Sequence, residues 1–429
     1  MFPLYHSYRT LFFSAAFFCT TISYSASWST KPTIIRDYEV NAALKYSLLM
    51  KSIPTIAVRD DAFWQIGMAV EILLGHCQKL PDQCREVGKI ALEIFRIKTH
   101  GDKKWWYDDF GWWGNSFVQL YEITHDTAYL DAAHQSFSSM QPAKQAWTKS
   151  MNIKKMSQTP LFDHGCYNAD LPAETKTFEG IQNTVTNAQY LRLSLGLFQV
   201  SYAAYVKNPS EQRAQQAHIH WFETLEQFQW FSNWFGQGLL NKGFAGEHHL
   251  LVEERVNKYM SQAAEPNYAA NRFWTGDQGL IMDIWSRLHT IKQNLQKYNP
   301  LNLNIEPLKG DVESIALGIA KGVKSRLTTA SHTFINFFTQ GQDQFPFGDT
   351  CDYACGPAVF QSAMTQRATH HDALKQKFQG DAYQIIVKAC ADWAMTFPTP
   401  LAIENMDSFM MAVNNLAALS AAIELYQGN

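Results

Sequence analysis

Apolar residues return at spacings of three and four in roughly a dozen separate stretches of this 429-residue chain, and few architectures besides a helical one admit that periodicity. The stretches lie near 37–52, 61–76, 82–98, 110–124, 127–140, 181–206, 210–231, 276–296, 309–326, 356–367, 370–396 and 406–426. Breakers punctuate them: Pro54, Pro81, Pro142, Pro160, Pro172, Pro209, Pro266, Pro300, Pro346 and Pro398. Alternating, strand-like patterns are few, the clearest being a short hairpin around Leu239 to Val256. The expectation is an all-α fold.

Several stretches, such as Ile181 to Tyr205 and Met406 to Tyr426, are nearly as apolar on one side as on the other. Helices of that kind are buried among neighbours. A dozen or so helices, half of them deeply buried, suit two concentric rings, an (α/α)6 barrel. An open solenoid is the alternative, but the chain lacks the repeated residue motif that solenoids show. Long non-helical segments at 141–180, 232–275 and 327–355 carry Trp234, Tyr268, Trp274, Phe345, Phe347 and Tyr353 among Gly, Asn and Asp. Segments of that length in a compact domain usually serve function, and at one rim of a barrel they would wall a cleft. No linker or composition shift divides the chain, so residues 27–429 are expected to form one domain.

The N-terminus resembles an export leader. His6 and Arg9 precede an apolar run from Leu11 to Ile22, too short for a bilayer, and small residues follow at 23–27. An uncleaved anchor is the rival reading. Residues 1–26 are expected to be removed and the rest to be secreted or periplasmic, without stable membrane insertion. Six cysteines remain beyond the leader, at 77, 84, 166, 351, 355 and 390, and an oxidising compartment permits disulfides; Cys77 with Cys84 and Cys351 with Cys355 are the near pairs. No CxxC or HExxH pattern supports a metal site, and the adjacent pairs His248-His249 and His370-His371 diverge on any regular element. Only 17% of residues are charged, against roughly 25% in ordinary proteins, with a formal net charge of -3 and no basic run. Nucleic acid, which needs a concentrated basic face, is not an expected partner.

The sharpest local feature runs from Lys103 to Trp113: Lys-Lys-Trp-Trp-Tyr-Asp-Asp-Phe-Gly-Trp-Trp. Four tryptophans and Tyr107 surround two consecutive carboxylates, Asp108 and Asp109. Aromatic faces make platforms for the C–H faces of sugar rings. Cleaving a glycosidic bond needs one protonated and one ionised carboxyl beside it, and adjacent carboxylates in an apolar wall are pushed apart in pKa. An Asp just before an apolar helical run also reads as a helix cap. Spacing leaves both readings open. Consecutive residues of a regular helix point about 100° apart, so an irregular helix start is expected if both are to flank one sugar.

The block Tyr107 to Trp113, followed by Leu120-Tyr121-Glu122-Ile123-Thr124-His125-Asp126 and Tyr129-Leu130, resembles glycoside hydrolase family 76, the endo-α-1,6-mannanases and related fungal cell-wall transglycosylases. Two further blocks are similar: Gly180 to Asn187, with its Thr-Asn pair, and Trp274-Thr275-Gly276-Asp277-Gln278-Gly279-Leu280. In order and spacing the resemblance covers roughly residues 37–426. It implies an (α/α)6 barrel, retaining hydrolysis of α-1,6-linked mannan, Asp108 as nucleophile and Asp109 as general acid/base. It also implies sugar contacts from Tyr107, Trp112, Trp113, Tyr167, Asn187, Trp274, Asp277 and Gln278. No cofactor is implied, since two carboxylates suffice, and a monomer acting on a poly- or oligosaccharide is expected.

The sequence departs from the family at four places. Asp277 stands where Asn is usual, Lys242 where an acid is common, Cys166-Tyr167 where tryptophan is frequent, and Cys355 to Phe360 matches weakly. These departures keep open an enzyme of the same fold acting on another glycan. Transglycosylation and a non-catalytic glycan-binding role stay open as well.

Overall fold

In a computed structural model, the described residues are 33–59, 61–101, 104–144, 164–169, 182–236, 239–242, 249–254, 272–309, 312–335, 337–339, 354–370, 381–396 and 403–427. The expected leader, residues 1–26, lies outside them, as do Cys351 and the side chain of Lys242.

Twelve α-helices carry the described chain: α1 (Thr33–Ala57), α2 (Phe63–Cys77), α3 (Pro81–Thr99), α4 (Tyr107–Thr124), α5 (Thr127–Met140), α6 (Thr184–Lys207), α7 (Glu211–Gly236), α8 (Thr275–Lys297), α9 (Val312–Arg326), α10 (Gly356–His370), α11 (Asp381–Thr396) and α12 (Met406–Gln427). Four three-residue strands pair antiparallel: β1 (Leu240–Lys242) with β2 (Leu250–Val252), and β3 (Arg272–Trp274) with β4 (Phe337–Thr339). The first pair is the hairpin expected from the sequence. The second joins segments more than sixty residues apart, beyond the reach of local pattern reading.

Local chemistry sets most boundaries. Pro81 opens α3, where a missing N–H costs nothing. Asp126 caps α5 by accepting from the Ala128 N–H at 3.0 Å, and Asn183 caps α6 through the Thr186 N–H at 3.1 Å. His125 ends α4 in the left-handed region at φ 57°. One boundary differs from expectation: α1 runs through Pro54 to Ala57 instead of stopping there. Ile53 and Ile56 are both buried, and their packing holds the last turn despite the missing N–H.

The even-numbered helices form a closed ring. α2 packs on α4, α4 on α6, α6 on α8, α8 on α10, α10 on α12, and α12 returns to α2. The odd-numbered helices pack outside them, giving the (α/α)6 barrel. This arrangement explains the two composition types. Outer α3 buries one stripe, Cys84, Val87, Gly88, Ala91, Ile94 and Phe95, whereas inner α6 is buried continuously from residue 186 to 198. Inner α12 is the one described helix long and apolar enough to cross a membrane, and it is mostly buried within the ring.

Backbone hydrogen bonds and close glycine contacts bring the starts of inner helices α4, α6, α8 and α10 together at one end of the barrel. The segments between α5 and α6, α7 and α8, and α9 and α10 therefore emerge at that end. Their described portions knit it together. Tyr107 N–H donates to Asn168 C=O at 2.8 Å, Thr184 N–H to Glu254 C=O at 2.8 Å, and Glu254 N–H to Arg272 C=O at 2.9 Å. Asn414 bridges α10 and α12 there, accepting from the Ala358 N–H and donating to Ala354 C=O.

Cys77 and Cys84 form a disulfide across the turn from α2 to α3, with Cα atoms 5.7 Å apart. Cys166 and Cys390 are buried thiols, and burial pushes both up to about 12. Two histidines, His220 buried and His76 partly buried, are expected to make the barrel acid-sensitive. Burial holds His76, 2.9 Å from Ser420 Oγ, down to about 4; burial and then the neighbouring His134 ring hold His220 at about 4. Their unfolded value is about 6.5, so below it the unfolded chain binds more protons and stability falls toward pH 4. Urea midpoints are expected to drop between about pH 6.5 and 4.5, and less steeply in a His76→Gln/His220→Gln variant. An identical slope in that variant would contradict the assignment.

Candidate active site

Asp108 and Asp109 are the second and third residues of α4, so both stand in its first turn, at the helix start expected from the sequence. A regular turn separates the two side chains by about 100° and gives them different neighbours. Asp108, Gly111 and Asn115 share one face of α4 at spacings of three and four. That face meets α6. A β-carbon at position 111 would fall 2.4 Å from Gln189 Cβ, so only glycine lets the two helices approach. One turn further, Asn115 Nδ2 donates to Gln189 Oε1 at 2.8 Å. Asp109 shares its face with Trp112, Trp113 and Ser116, and that face meets α2. Ser116 Oγ donates to Gly67 C=O at 2.9 Å, and Trp113 Nε1 to Phe63 C=O at 2.9 Å. The carboxylates thus stand over two different inner-helix seams at the mouth of the barrel.

They are not equally exposed. Asp108 is partly open, while Asp109 is 8% exposed and its Oδ2 accepts from the Trp106 N–H at 3.0 Å. Asp109 is therefore a helix cap as well as a candidate acid. The cap reading of the sequence thus holds for Asp109.

The tryptophans divide. Trp113 is fully buried among Phe63, Phe95 and Phe117, so it belongs to the core and presents no face to a sugar, contrary to expectation. Trp105 stacks on Phe63 at 4.4 Å and donates to Lys98 C=O. Trp112 is buried with its ring 6.2 Å from that of Trp64, which begins α2 at the same barrel end. Trp106 is exposed, two residues before Asp108. Trp106 belongs to the block singled out by sequence, but Trp64 does not; its position one residue into an inner helix is the signal that would have found it.

Two further expected sugar contacts prove to be clamps. Asn187 uses both arms of its amide. Its Oδ1 accepts from the Cys166 N–H and from Gln227 Nε2, and its Nδ2 donates to Cys166 C=O and Asn183 C=O. Gln278 holds strand β2 by exchanging two 2.8 Å hydrogen bonds with the Val252 backbone, and also donates to Trp274 C=O. Neither has a donor left for a ligand. Tyr107, Tyr167, Trp274 and Asp277 all lie at the expected end, and all are buried. Trp274 precedes α8 under a glycine lid: a β-carbon on Gly356 would sit 2.6 Å from its Nε1. Asp277 is wholly buried in the first turn of α8, where the helix N-terminus favours a negative charge.

Beneath the mouth, the barrel axis is polar. The ninth residues of four inner helices are Glu71, Asn115, Arg192 and Asp283, about 12 Å down from the helix starts. Arg192 donates to Glu71 Oε1 at 2.5 Å and to Asp283 Oδ2 at 2.9 Å, crossing from α6 to α2 and α8. Arg287 approaches Asp283 at 3.8 Å. The Coulombic pull of both acids outweighs burial and raises the Arg192 pKa above its ordinary value. Among the described residues no cluster of three or more His, Cys, Asp or Glu side chains is placed to hold a metal ion.

The chain matches no family model and no curated protein. It does share its fold with solved structures. An inactive variant of the α-1,6-mannanase GH76A of Salegentibacter sp. HEL1_6, with two adjacent aspartates replaced by asparagine and bound to α-1,6-mannotriose, is 13% identical with a TM-score of 0.56 over 91% of this chain and 99% of that one. The Lin0763 protein from Listeria innocua is 15% identical, with a TM-score of 0.51 over 86% of each chain. Dfg5 from Chaetomium thermophilum, in complex with glucosamine, is 13% identical with a TM-score of 0.51 over 88% and 90%. The fold is that of the family 76 α-1,6-mannanases.

Proposed function

We propose that this protein is a secreted retaining glycoside hydrolase of the family 76 kind, cleaving α-1,6-linked mannan or a related α-mannoside polymer with Asp108 and Asp109. The observation that carries the reading is the placement of two adjacent carboxylates in the first turn of an inner helix, at the barrel end where the long connections gather. The mannanase of the same fold is inactive when two adjacent aspartates become asparagine, and it binds α-1,6-mannotriose in that form. An exposed Trp106 beside the pair and a polar barrel axis beneath it suit a ligand with apolar faces and many hydroxyls.

In this reading Asp108, the more open of the two, attacks the anomeric carbon and forms a glycosyl ester. Asp109 gives its proton to the departing glycosidic oxygen. Asp109 then takes a proton from water, whose oxygen attacks the same carbon and releases Asp108. Retention follows from two successive inversions. The Cys77–Cys84 disulfide supports an oxidising compartment and hence export.

Asp277 favours a second reading, the same chemistry on another glycan, because it puts a buried carboxylate where the resemblance expects an amide. Incubating the mature protein with a panel of α-linked mannans and of non-mannan glycans, and analysing released oligosaccharides, separates the two. Release from an α-1,6-linked backbone is expected. Release only from non-mannan glycans would replace the first reading with the second.

A further inference from the structure

Sequence resemblance marks Asn187 as a sugar contact, yet its amide is wholly engaged elsewhere, and where it leads is informative. It grips both backbone groups of Cys166: Oδ1 accepts the Cys166 N–H at 2.7 Å and Nδ2 donates to its C=O at 3.0 Å. From the outer ring, Gln227 Nε2 on α7 holds Asn187 Oδ1 at 2.7 Å, and Cys166 Sγ donates to Gln227 Oε1 at 3.4 Å. Two residues beyond Cys166, the Asn168 C=O accepts the Tyr107 N–H at 2.8 Å. Tyr107 is the first residue of α4, and no carbonyl within its own helix can take that N–H.

The short segment between these points has little freedom. Tyr167 N–H donates to Ala143 C=O and Tyr167 bridges to Gln182, whose Oε1 accepts from Trp230 Nε1 at 2.8 Å. A β-carbon at Gly165 would lie 2.3 Å from that same indole nitrogen. Cys166, Asn168, Asn187 and Gln227 are all fully buried. A continuous series of hydrogen bonds therefore runs from an outer helix, through an inner helix, to the turn that bears Asp108.

We propose that Asn187 and Gln227 are positioning residues, which set the placement of the Asp108–Asp109 turn by clamping the Cys166–Asn168 backbone and touch no sugar themselves. The inference rests on the catalytic reading above and assigns these two amides a role within it. Retaining chemistry depends on sub-ångström placement, and an error of about 1 Å can cost about 100-fold in rate.

Two near-isosteric variants test this in the full chain. Asn187→Asp keeps the acceptor but loses both donations; Gln227→Leu removes the outer hold. Hydrogen exchange of the peptide spanning 105–112 and steady-state kinetics on α-1,6-mannooligosaccharides are read side by side. Each variant is expected to speed exchange at the first-turn amides of α4 while leaving α1 and α11 unchanged. Each should lower kcat by about 10- to 100-fold with KM within about twofold, and the double variant should be no worse than the poorer single one. If Asn187→Asp fails to fold, Gln227→Met supplies the same readouts. Unchanged exchange at 107–110 would overturn the proposal, as would a rise in KM at constant kcat or losses that add in the double variant. A wild-type protein inactive on every α-mannan would overturn the catalytic reading instead, and the exchange measurement by itself would then decide the clamp.

Discussion

Asp108→Asn and Asp109→Asn are each expected to lower turnover by about 100- to 10,000-fold or more on any α-mannan the wild-type protein cleaves. The structure makes the accompanying stability measurement more discriminating than sequence alone allowed. Asparagine at 109 keeps a carbonyl oxygen in reach of the Trp106 N–H that Asp109 now satisfies, so Asp109→Asn should melt close to wild type. Asp109→Ala removes the acceptor and should cost about 1 kcal/mol in addition to activity. Asp108 is the more open of the two, and its asparagine variant, nearly the same size, should lose turnover with little change in melting temperature. Activity surviving in both asparagine variants, with stability lost only in Asp109→Ala, would leave Asp109 a cap and nothing more.

The largest expected loss of stability comes from Arg192→Met. Arg192 hydrogen-bonds both Glu71 and Asp283, and all three are nearly or wholly buried. Removing one partner of such a group strands the remaining charges in a medium that solvates them poorly. The expected cost is about 3–5 kcal/mol, read as a lower urea midpoint with an unchanged m-value. Replacing Glu71, Arg192 and Asp283 together by apolar residues of similar volume should recover much of that loss, because the desolvation of the ions disappears with them. A single Arg192→Met variant as stable as wild type would show that water already reaches this layer and screens it.

Helix periodicity made the frame of this molecule legible. The stretches near 82–98, 127–140, 276–296 and 406–426 coincide with α3, α5, α8 and α12 to within a residue or two at most ends. The all-round apolar composition of 181–205 and 406–426 correctly marked helices of the inner ring. What could not be read is how polar residues within those helices find one another. Arg192 and Glu71 are 121 positions apart, and Gln227 acts on Cys166 from 61 positions away. Yet a trace existed: Glu71, Asn115, Arg192 and Asp283 stand at the same distance from each helix start. A ring of parallel helices turns equal sequence depth into one spatial layer.

The tryptophan-rich block shows the complementary limit. The resemblance implied sugar contacts from Tyr107, Trp112 and Trp113, but an inner helix is buried on nearly every side, and most of its aromatics must pack. Trp105 and Trp113 close on Phe63, leaving Trp106 as the exposed ring. Asn187 and Gln278 illustrate the same point for amides: polar residues at a barrel mouth first satisfy the backbone of the connections gathered there.

The central claim, that Asp108 and Asp109 carry out retaining cleavage of an α-mannoside, is tested most directly by the configuration of the first product. Proton NMR of α-1,6-mannooligosaccharide cleavage, recorded before mutarotation, should show the α-anomer of the new reducing end appearing first and the β-anomer growing in later. Initial release of the β-anomer would mean a single inversion by water and would contradict the mechanism.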